Sequence, residues 1–242
     1  VEVAAETNAQ RIPFIVSVTS PDVAASVELT KIAKSADASG ICVQLPVGTD
    51  RGEKLGFLQD LACHAPAILM VQDLDWSGGG LPLDDIVYLF ENVETFSWLK
   101  IETQLAGPKY SAVIQATRGE LNVCGGWAVT QLMDAMARGV NAFIPTGMEC
   151  VYVTIYTLYQ TGNVAEARAL FERVLPILTF SNKHVDTSIL FFKQLRKAEG
   201  LFDSDICRTA ARFDAIQNAE ARLFLSSALE LIHLYRSGDL PV

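Results

Sequence analysis

The sequence predicts an α/β protein in which a parallel sheet is followed by a helical C-terminal region. Short apolar runs of strand length recur at regular intervals, and each is followed by a segment with helical periodicity. This strict alternation implies parallel strands joined by right-handed crossovers. From Asn163 onward the helical pattern continues with no strand between the helices. The chain is therefore expected to divide into a sheet-forming region, residues 1–161, and a helical extension, residues 162–242.

The predicted strands are buried ones, because they are apolar throughout instead of alternating. In chain order they cover residues 12–18, 40–45, 67–71, 96–101, 121–124 and 141–146. The helices that follow them cover residues 22–35, 51–64, 83–92, 108–117, 128–138 and 150–160. The extension contains helices over residues 164–180, 184–197 and 208–235, and Asn163 is expected to cap the first of them. The pattern leaves two arrangements open, an open doubly wound sheet and most of a barrel.

Composition narrows the classes of function. The chain has 242 residues and half of them are hydrophobic, so a sizeable core is possible. The net charge of −9 argues against nucleic acid or an anionic membrane as the main partner. No apolar run reaches the roughly 18 residues that a membrane span needs. The five scattered cysteines predict free thiols in the cytoplasm, with neither a disulfide framework nor a zinc site.

A nucleotide-binding function finds little support in the sequence. A dinucleotide-binding fold needs a glycine-rich turn after an early strand, and residues 17–20 contain no glycine. The run Gly78-Gly79-Gly80 lacks both the GxGxxG spacing and the lysine of a phosphate-binding loop. We interpret it as a loop over a strand end. The three histidines also lack ligand spacing, so neither a metal nor a cofactor is expected.

Lys100 carries the strongest chemical implication in the chain. It lies near the end of the strand predicted over residues 96–101, among apolar neighbours. An ammonium placed there loses much of its hydration and must find a partner or release its proton. A neutral amine at the C-terminal end of a strand is a nucleophile for carbonyl carbon. The alternative is a lysine whose stem covers apolar surface while its ammonium reaches solvent.

Glu102 is the natural companion of Lys100. It follows two residues later and therefore projects from the same face of a regular strand. A carboxylate at that position can orient the amine or transfer protons. The alternative is a salt bridge to Lys100 without a catalytic role.

Four segments carry a resemblance to a known family. They are Arg11-Ile12-Pro13-Phe14-Ile15-Val16, the lysine strand from Phe96 through Glu102, Cys124-Gly125-Gly126-Trp127, and Gly162-Asn163-Val164-Ala165-Glu166-Ala167-Arg168. In order and spacing they resemble the third strand, the lysine strand, the next strand end and the opening of the tail helix in the dihydrodipicolinate synthase / N-acetylneuraminate lyase superfamily. The likeness extends over residues 4–231.

The resemblance implies a TIM-type (β/α)8 barrel with a C-terminal extension of three helices. About six of the eight strands are recognisable here. The family's first two strands, and the glycine- and threonine-rich turn that holds the substrate carboxylate, have no counterpart, so the N-terminal portion of the family pattern is expected to be missing. The resemblance further implies that Lys100 forms a Schiff base with a 2-keto acid, that Glu102 assists it, and that no cofactor takes part.

Barrels keep their chemistry at the C-terminal ends of their strands. The residues that the resemblance places there as substrate-binding are Gln72, Asp73, Gly125, Gly126, Ile144 and Thr146. For Asp73 the alternative is a cap for the loop over residues 74–81. For Gly125 and Gly126 it is an ordinary turn. Ile144 is expected to be plain pocket wall.

Two departures from the family pattern bear on the reaction. Synthases and many aldolases of the superfamily carry a proton-shuttling tyrosine on the fifth strand, where Met70 or Val71 stands here. The tyrosine pair of the fourth-strand loop is replaced by Pro46-Val47-Gly48. Both departures argue against dihydrodipicolinate synthesis. The combination of Val71-Gln72-Asp73 and Lys100-Ile101-Glu102 instead resembles a sugar-acid branch of the superfamily, similar to L-2-keto-3-deoxyarabonate dehydratase.

The predicted function is thus a Schiff-base lyase, a dehydratase or an aldolase, acting on 2-keto-3-deoxy sugar acids. The alternatives are a non-catalytic homologue that binds a keto acid and a pyruvate-dependent aldolase or synthase of the dihydrodipicolinate synthase type. The expected partners are a small 2-keto acid and further copies of the chain, as a homodimer or homotetramer, because barrels of this family associate through strand-end loops and tail helices.

Overall fold

The computed structural model describes residues 1–126, 129–209 and 211–236. Its parallel strands form one sheet in chain order: β1 (Ile15–Ser17), β2 (Gly40–Val43), β3 (Ile68–Asp75), β4 (Phe96–Thr103), β5 (Asn122–Gly125) and β6 (Ala142–Phe143). Each strand pairs with the next one along the chain, without the reversal of order that marks a doubly wound sheet. This is the progression of a (β/α) barrel, so the predicted TIM-type fold is confirmed.

Helices connect and follow the strands. The sheet-forming region contains α1 (Glu2–Asn8), α2 (Val23–Ser35), α3 (Arg51–Ala62), α4 (Leu83–Asn92) and α5 (Ala106–Ala116), and α6 (Leu132–Ala137) follows β5. The C-terminal region contains α7 (Glu149–Gln160), α8 (Val164–Ser181), α9 (Val185–Ala198) and α10 (Ala215–Tyr235). The helix predicted over residues 128–138 starts later in the structure, and Ala128 lies outside the described residues.

Side-chain caps explain several helix starts. Asp22 accepts from the Ala24 N–H at the start of α2, and Asp50 forms a capping box with Glu53 at the start of α3. Asn163 occupies the N-cap position of α8 as predicted, but its side chain makes no capping hydrogen bond and donates to Thr161 Oγ1 at 3.3 Å instead. The last helix begins at residue 215 instead of 208, because Asp214 and Gln217 form a second capping box there.

The two faces of the sheet differ in what they contact. One face packs on the helices and holds the core, in which apolar strand residues such as Val71, Leu99 and Ile101 meet Leu58, Leu89 and Val113. The other face carries Met70, Trp98 and a set of polar side chains at alternate positions. In a barrel, the face away from the helices lines the interior. Gln72, Lys100 and Glu102 are therefore on the interior side.

The chain separates into two compact units. One consists of Val1–Trp127 and Asp134–Phe143, and the other of Ala128–Met133 and Ile144–Val242. The division follows β6, whereas the sequence pattern placed it at residue 161. Helix α7 accounts for the difference, since it packs against α8 and α10. Among the described residues, none of the helices combines the length and the apolar character that a membrane crossing requires.

Candidate active site

Parallel pairing brings Gln72, Lys100 and Cys124 side by side on three neighbouring strands. Gln72 of β3 is the register partner of Lys100 of β4, which is in turn the partner of Cys124 of β5. All three lie on the interior face, one strand spacing apart. The β4 residue Glu102 lies two positions beyond Lys100 on the same face, as the sequence predicts. Gln72, Glu102 and Cys124 are thus the side chains next to the Lys100 amine on this face.

Lys100 and Glu102 form a shielded ion pair. The Lys100 Nζ lies 3.1 Å from Glu102 Oε1, and the two side chains are only 15% and 13% exposed. The Gln72 amide nitrogen donates to the other Glu102 oxygen, Oε2. The Gln72 carbonyl oxygen in turn accepts from Gln44 Nε2 at 3.1 Å. The amine therefore sits at one end of a hydrogen-bonded chain that crosses three strands.

Gly126 makes room for this arrangement. A Cβ atom at this position would lie 1.9 Å from Glu102 Cγ, so no other residue fits without displacing the carboxylate. The Gly126 N–H also donates to the Ile101 carbonyl at 3.1 Å, which holds the loop close to β4. The role that the structure gives Gly126 is to allow the close approach of Glu102 to the backbone.

Two thiols border the ion pair. Burial raises the pKa of Cys42 to about 11 and that of Cys124 to about 12, although the charge of Lys100 acts in the opposite direction. Both side chains are therefore neutral thiols near pH 7, and neither resembles an activated nucleophile. They form a weakly polar wall beside the amine.

A cavity of about 370 Å³ lies at the C-terminal ends of β2 and β3. Gln44 and Gln72 are among its lining residues, so it borders the hydrogen-bonded chain. Lys54 and Asp75 line it as well. Lys54 is held 3.0 Å from Asp85, and Asp75 accepts backbone N–H bonds from Ser77, Gly78 and Gly80, which hold its pKa below the ordinary value. Amide, ammonium and carboxylate groups on one wall suit a ligand rich in hydroxyls.

Asp73 does not join the cluster around Lys100. It is the register partner of Ile101, on the helix side of the sheet, where its side chain is only 2% exposed. There it forms an ion pair with Lys109 and accepts from the Leu81 N–H at 2.7 Å. The hydrogen bond to the loop is the one that the loop-capping alternative implies. Asp73 is also among the residues that line the cavity at the ends of β2 and β3, so its contact with substrate stays a prediction.

The remaining predicted substrate-binding residues are Gly125, Ile144 and Thr146. Gly125 is the register partner of Ile101 on the helix side, where a Cβ atom would lie 2.6 Å from the Phe143 ring. Ile144 and Thr146 follow β6 in the second unit, and both are exposed. Their proposed contacts with substrate stay predictions.

Sequence analysis missed Gln44. It follows β2 directly and shares the parity of Cys42, two residues earlier, which places it on the interior side. Gln44 could have been predicted from the alternation along the strand, in which Val43 and Leu45 face one side while Cys42 and Gln44 face the other. Within the described residues, no group of three or more His, Cys, Asp and Glu side chains is arranged to hold a metal ion.

Comparison with known proteins gives a fold. No protein-family model matches the chain, and no curated protein matches it. The 4-hydroxy-tetrahydrodipicolinate synthase of Methylacidiphilum fumariolicum SolV has a TM-score of 0.84 at 18% identity, covering 98% of this chain and 79% of its own. Sialic acid aldolase of Ruminococcus gnavus gives 0.84 at 14% identity, covering 96% and 78%.

N-acetylneuraminate lyase of Fusobacterium nucleatum is similar to the same degree, with a TM-score of 0.79 at 17% identity over 97% of this chain and 78% of that one. The chain therefore has the fold of the dihydrodipicolinate synthase and N-acetylneuraminate lyase structures, as the resemblance implies. A fold by itself does not define a reaction, so function depends on the residues around Lys100.

Proposed function

We propose that the protein is a lyase that forms a Schiff base between Lys100 and a 2-keto acid. The observation that carries this proposal is the shielded Lys100 amine on the interior face, with the Glu102 carboxylate 3.1 Å away. A Schiff-base lysine needs a site from which bulk water is largely excluded and a group that accepts its proton. The fold supports the proposal, since structures named as synthase, aldolase and lyase share it.

The proposed reaction starts with attack of Lys100 Nζ on the C2 carbonyl carbon. The carbinolamine loses water to give an iminium ion, and Glu102 serves as proton acceptor and donor in these steps. Loss of a proton from C3 gives an enamine. The enamine expels the C4 hydroxyl group, which leaves as water, and hydrolysis of the imine then returns free Lys100 and a dehydrated 2-keto acid.

The proposed substrates are 2-keto-3-deoxy sugar acids. Such a molecule carries its reactive ketone at one end and several hydroxyl groups at the other. The cavity lined by Gln44 and Gln72 offers amides and charged groups, and Gln72 connects it to Glu102, the ion-pair partner of Lys100. Its volume of about 370 Å³ accommodates a short polyol chain.

Aldol cleavage is the second course open to the same enamine chemistry. It breaks the C3–C4 bond as the C4 hydroxyl loses its proton, and it yields an aldehyde and the enamine of pyruvate. We favour dehydration because Met70 occupies a position near the expected tyrosine and is itself buried on the interior face. A thioether cannot shuttle a proton.

Borohydride trapping tests the proposal. The protein is incubated with pyruvate and sodium borohydride, its intact mass is measured, and the modified peptide is mapped. We expect one reduced adduct on residue 100 in the wild type. We expect the same in the control K31R, which alters an exposed lysine, and no adduct in K100R. Product analysis with 2-keto-3-deoxy sugar acids then separates a dehydrated keto acid from pyruvate and an aldehyde.

Absence of an adduct in a folded wild-type protein would overturn the proposal. Binding of a keto acid in calorimetry without an adduct would then identify a non-catalytic homologue. An adduct spread over surface lysines would show adventitious modification and would equally contradict a Schiff-base site at Lys100.

A further inference from the structure

We propose that Gln44 and Gln72 are positioning residues that hold Glu102, and through it Lys100, in one orientation. The inference rests on the proposed function of Lys100 as the reacting amine. Neither glutamine needs to touch the reacting carbon for this role, because both act through the carboxylate.

The hydrogen bonds between these side chains all run in one direction, with Gln44 donating to Gln72 and Gln72 donating to Glu102. Gln44 Nε2 donates to Gln72 Oε1 at 3.1 Å. This leaves the Gln72 amide nitrogen for Glu102, and it donates to Oε2. The second carboxylate oxygen, Oε1, faces the Lys100 ammonium at 3.1 Å. Each group thus uses a different atom for each neighbour, and the carboxylate lies between a neutral donor and a charged one.

The Glu102 carboxylate, which can only accept, sets which way the Gln72 amide faces, and the Gln44 amide supports that orientation. An amide can turn over and exchange its oxygen and nitrogen at little cost when nothing distinguishes them. Here a turned Gln72 would set its nitrogen against the Gln44 donor and its oxygen against the Glu102 carboxylate, so both hydrogen bonds would be lost. The Gln44 backbone is itself anchored, since its N–H donates to Thr19 Oγ1 at 3.0 Å.

The Gly126 backbone also restrains the Glu102 side chain. Gly126 lies against the Glu102 stem so closely that a Cβ atom would overlap it. With Gly126 on one side and Gln72 on the other, the carboxylate is directed at Lys100. Without the Gln72 hydrogen bond the carboxylate loses one of the contacts that orient it, and water competes for the oxygen that this bond occupied.

Chemical labelling of Lys100 tests the inference without relying on catalysis. The protein is treated with trace acetic anhydride across a range of pH, and acetylation at residue 100 is measured by peptide mapping. The variants are Q72M and Q44M, which keep the side-chain length but cannot hydrogen-bond. The control is Q115M, the same change at an exposed position on α5.

We expect labelling of Lys100 to rise about threefold to tenfold in Q72M and about twofold in Q44M, because an amine released from its partner reacts more readily. Q115M is expected to match the wild type. The rate of borohydride trapping with pyruvate should fall in the same order, with a smaller change in the pyruvate concentration that gives half the maximal rate. If Q72M fails to fold, Q44M still tests the positioning role, because Gln44 lines the cavity and its replacement leaves the core unchanged.

The outcomes separate the two proposals. If acetylation of Lys100 rises in Q44M and more in Q72M, but the wild type forms no adduct with pyruvate, the positioning role of the two glutamines is supported and the lyase proposal is contradicted. Trapping in the wild type, with Q44M and Q72M indistinguishable from Q115M in both assays, would overturn the positioning role and leave the lyase in place.

Discussion

Lys109 of α5 forms an ion pair with Asp73 of β3, on the side of the sheet opposite to Lys100. The same ammonium donates to the carbonyl of Gly79, and Asp73 accepts from the Leu81 N–H. One pair of charges therefore ties a strand, the loop that follows it and a helix together. Since this loop borders the cavity, the pair stabilises a wall of the candidate site.

Removing the Lys109 charge should destabilise the protein markedly. In K109M the Asp73 carboxylate stays buried without its cation, and breaking a buried pair from one side costs about 3 kcal/mol. The double variant D73N/K109M removes the stranded charge and should recover part of that loss. Urea unfolding measures both, with K31M, at an exposed ion pair, as the matched control. Equal unfolding midpoints for K109M and K31M would contradict the expectation.

The K109M effect should depend on pH. Burial raises the pKa of Asp73 above its ordinary value, although Lys109 and the Leu81 N–H act in the opposite direction. The folded state therefore binds this proton more readily than the unfolded state does, so the stability contributed by the group falls as pH rises through the folded pKa. Without Lys109 the pKa rises further.

The penalty of K109M should consequently be largest at neutral pH and shrink as the pH falls toward the raised pKa of Asp73. Unfolding midpoints of K109M and wild type at several pH values check this. A penalty that stays constant over that range would show that lost packing, and not the stranded charge, explains the destabilisation.

Most of the fold could be predicted from the sequence because local patterns carried it. Each apolar run with its following helix corresponds to one strand and one crossover, and the residues of the helix α4 were predicted at both ends. The weakest predictions concern β1 and β6, of three and two residues. Both strands were predicted too long, because the residues next to them are also apolar and hydrophobicity does not indicate where the hydrogen bonds between strands end.

The site was predictable only along single strands. The shared face of Lys100 and Glu102 follows from a period of two. Asp73 shows the limit, because the end of β3 was predicted four residues early and the parity of its last residues was left undetermined. Gln44 shows another, since its partner Gln72 is 28 residues away and register between strands is a tertiary property.

Replacing Gly126 should damage the site more than the fold. In G126A the new methyl group displaces Glu102, and a misplacement of about 1 Å near a reacting group lowers rates by up to about a hundredfold. Borohydride trapping with pyruvate measures the loss. G56A provides a contrast, because that glycine lies in α3 with open space around it and should gain about 0.5–1 kcal/mol of stability with unchanged trapping. Normal trapping in G126A would show that Glu102 needs no fixed position.

The thiols should differ sharply in reactivity. Cys63 is exposed, whereas burial raises the pKa of Cys42 to about 11 and that of Cys124 to about 12. Thiolates are the reactive form, so iodoacetamide near pH 8 should modify Cys63 first and leave the other two largely unmodified. Peptide mapping over time checks this, and labelling in urea provides the fully reactive reference. Rapid modification of Cys124 in the folded protein would contradict the buried wall beside Lys100.

Neutralising Glu102 should separate its chemical role from its packing. In E102Q the side chain keeps its size, but its amide has one oxygen to share between the Gln72 donor and the Lys100 ammonium. The amine then loses both its ionic partner and its proton acceptor, and loss of a general acid–base group typically costs about 10²–10⁴-fold in rate. We expect pyruvate trapping at Lys100 to slow by a factor in this range.

The matched control is E94Q, the same change at an exposed residue before β4, which should trap pyruvate at the wild-type rate. E102D, which keeps the charge on a shorter stem, should recover part of the rate, because a carboxylate remains to take the proton. If E102Q trapped as fast as E94Q while unfolding at a lower urea concentration, Glu102 would be a structural salt-bridge partner. Slow trapping with an unchanged unfolding midpoint would instead assign it to the reaction, since only a chemical role separates the two readouts.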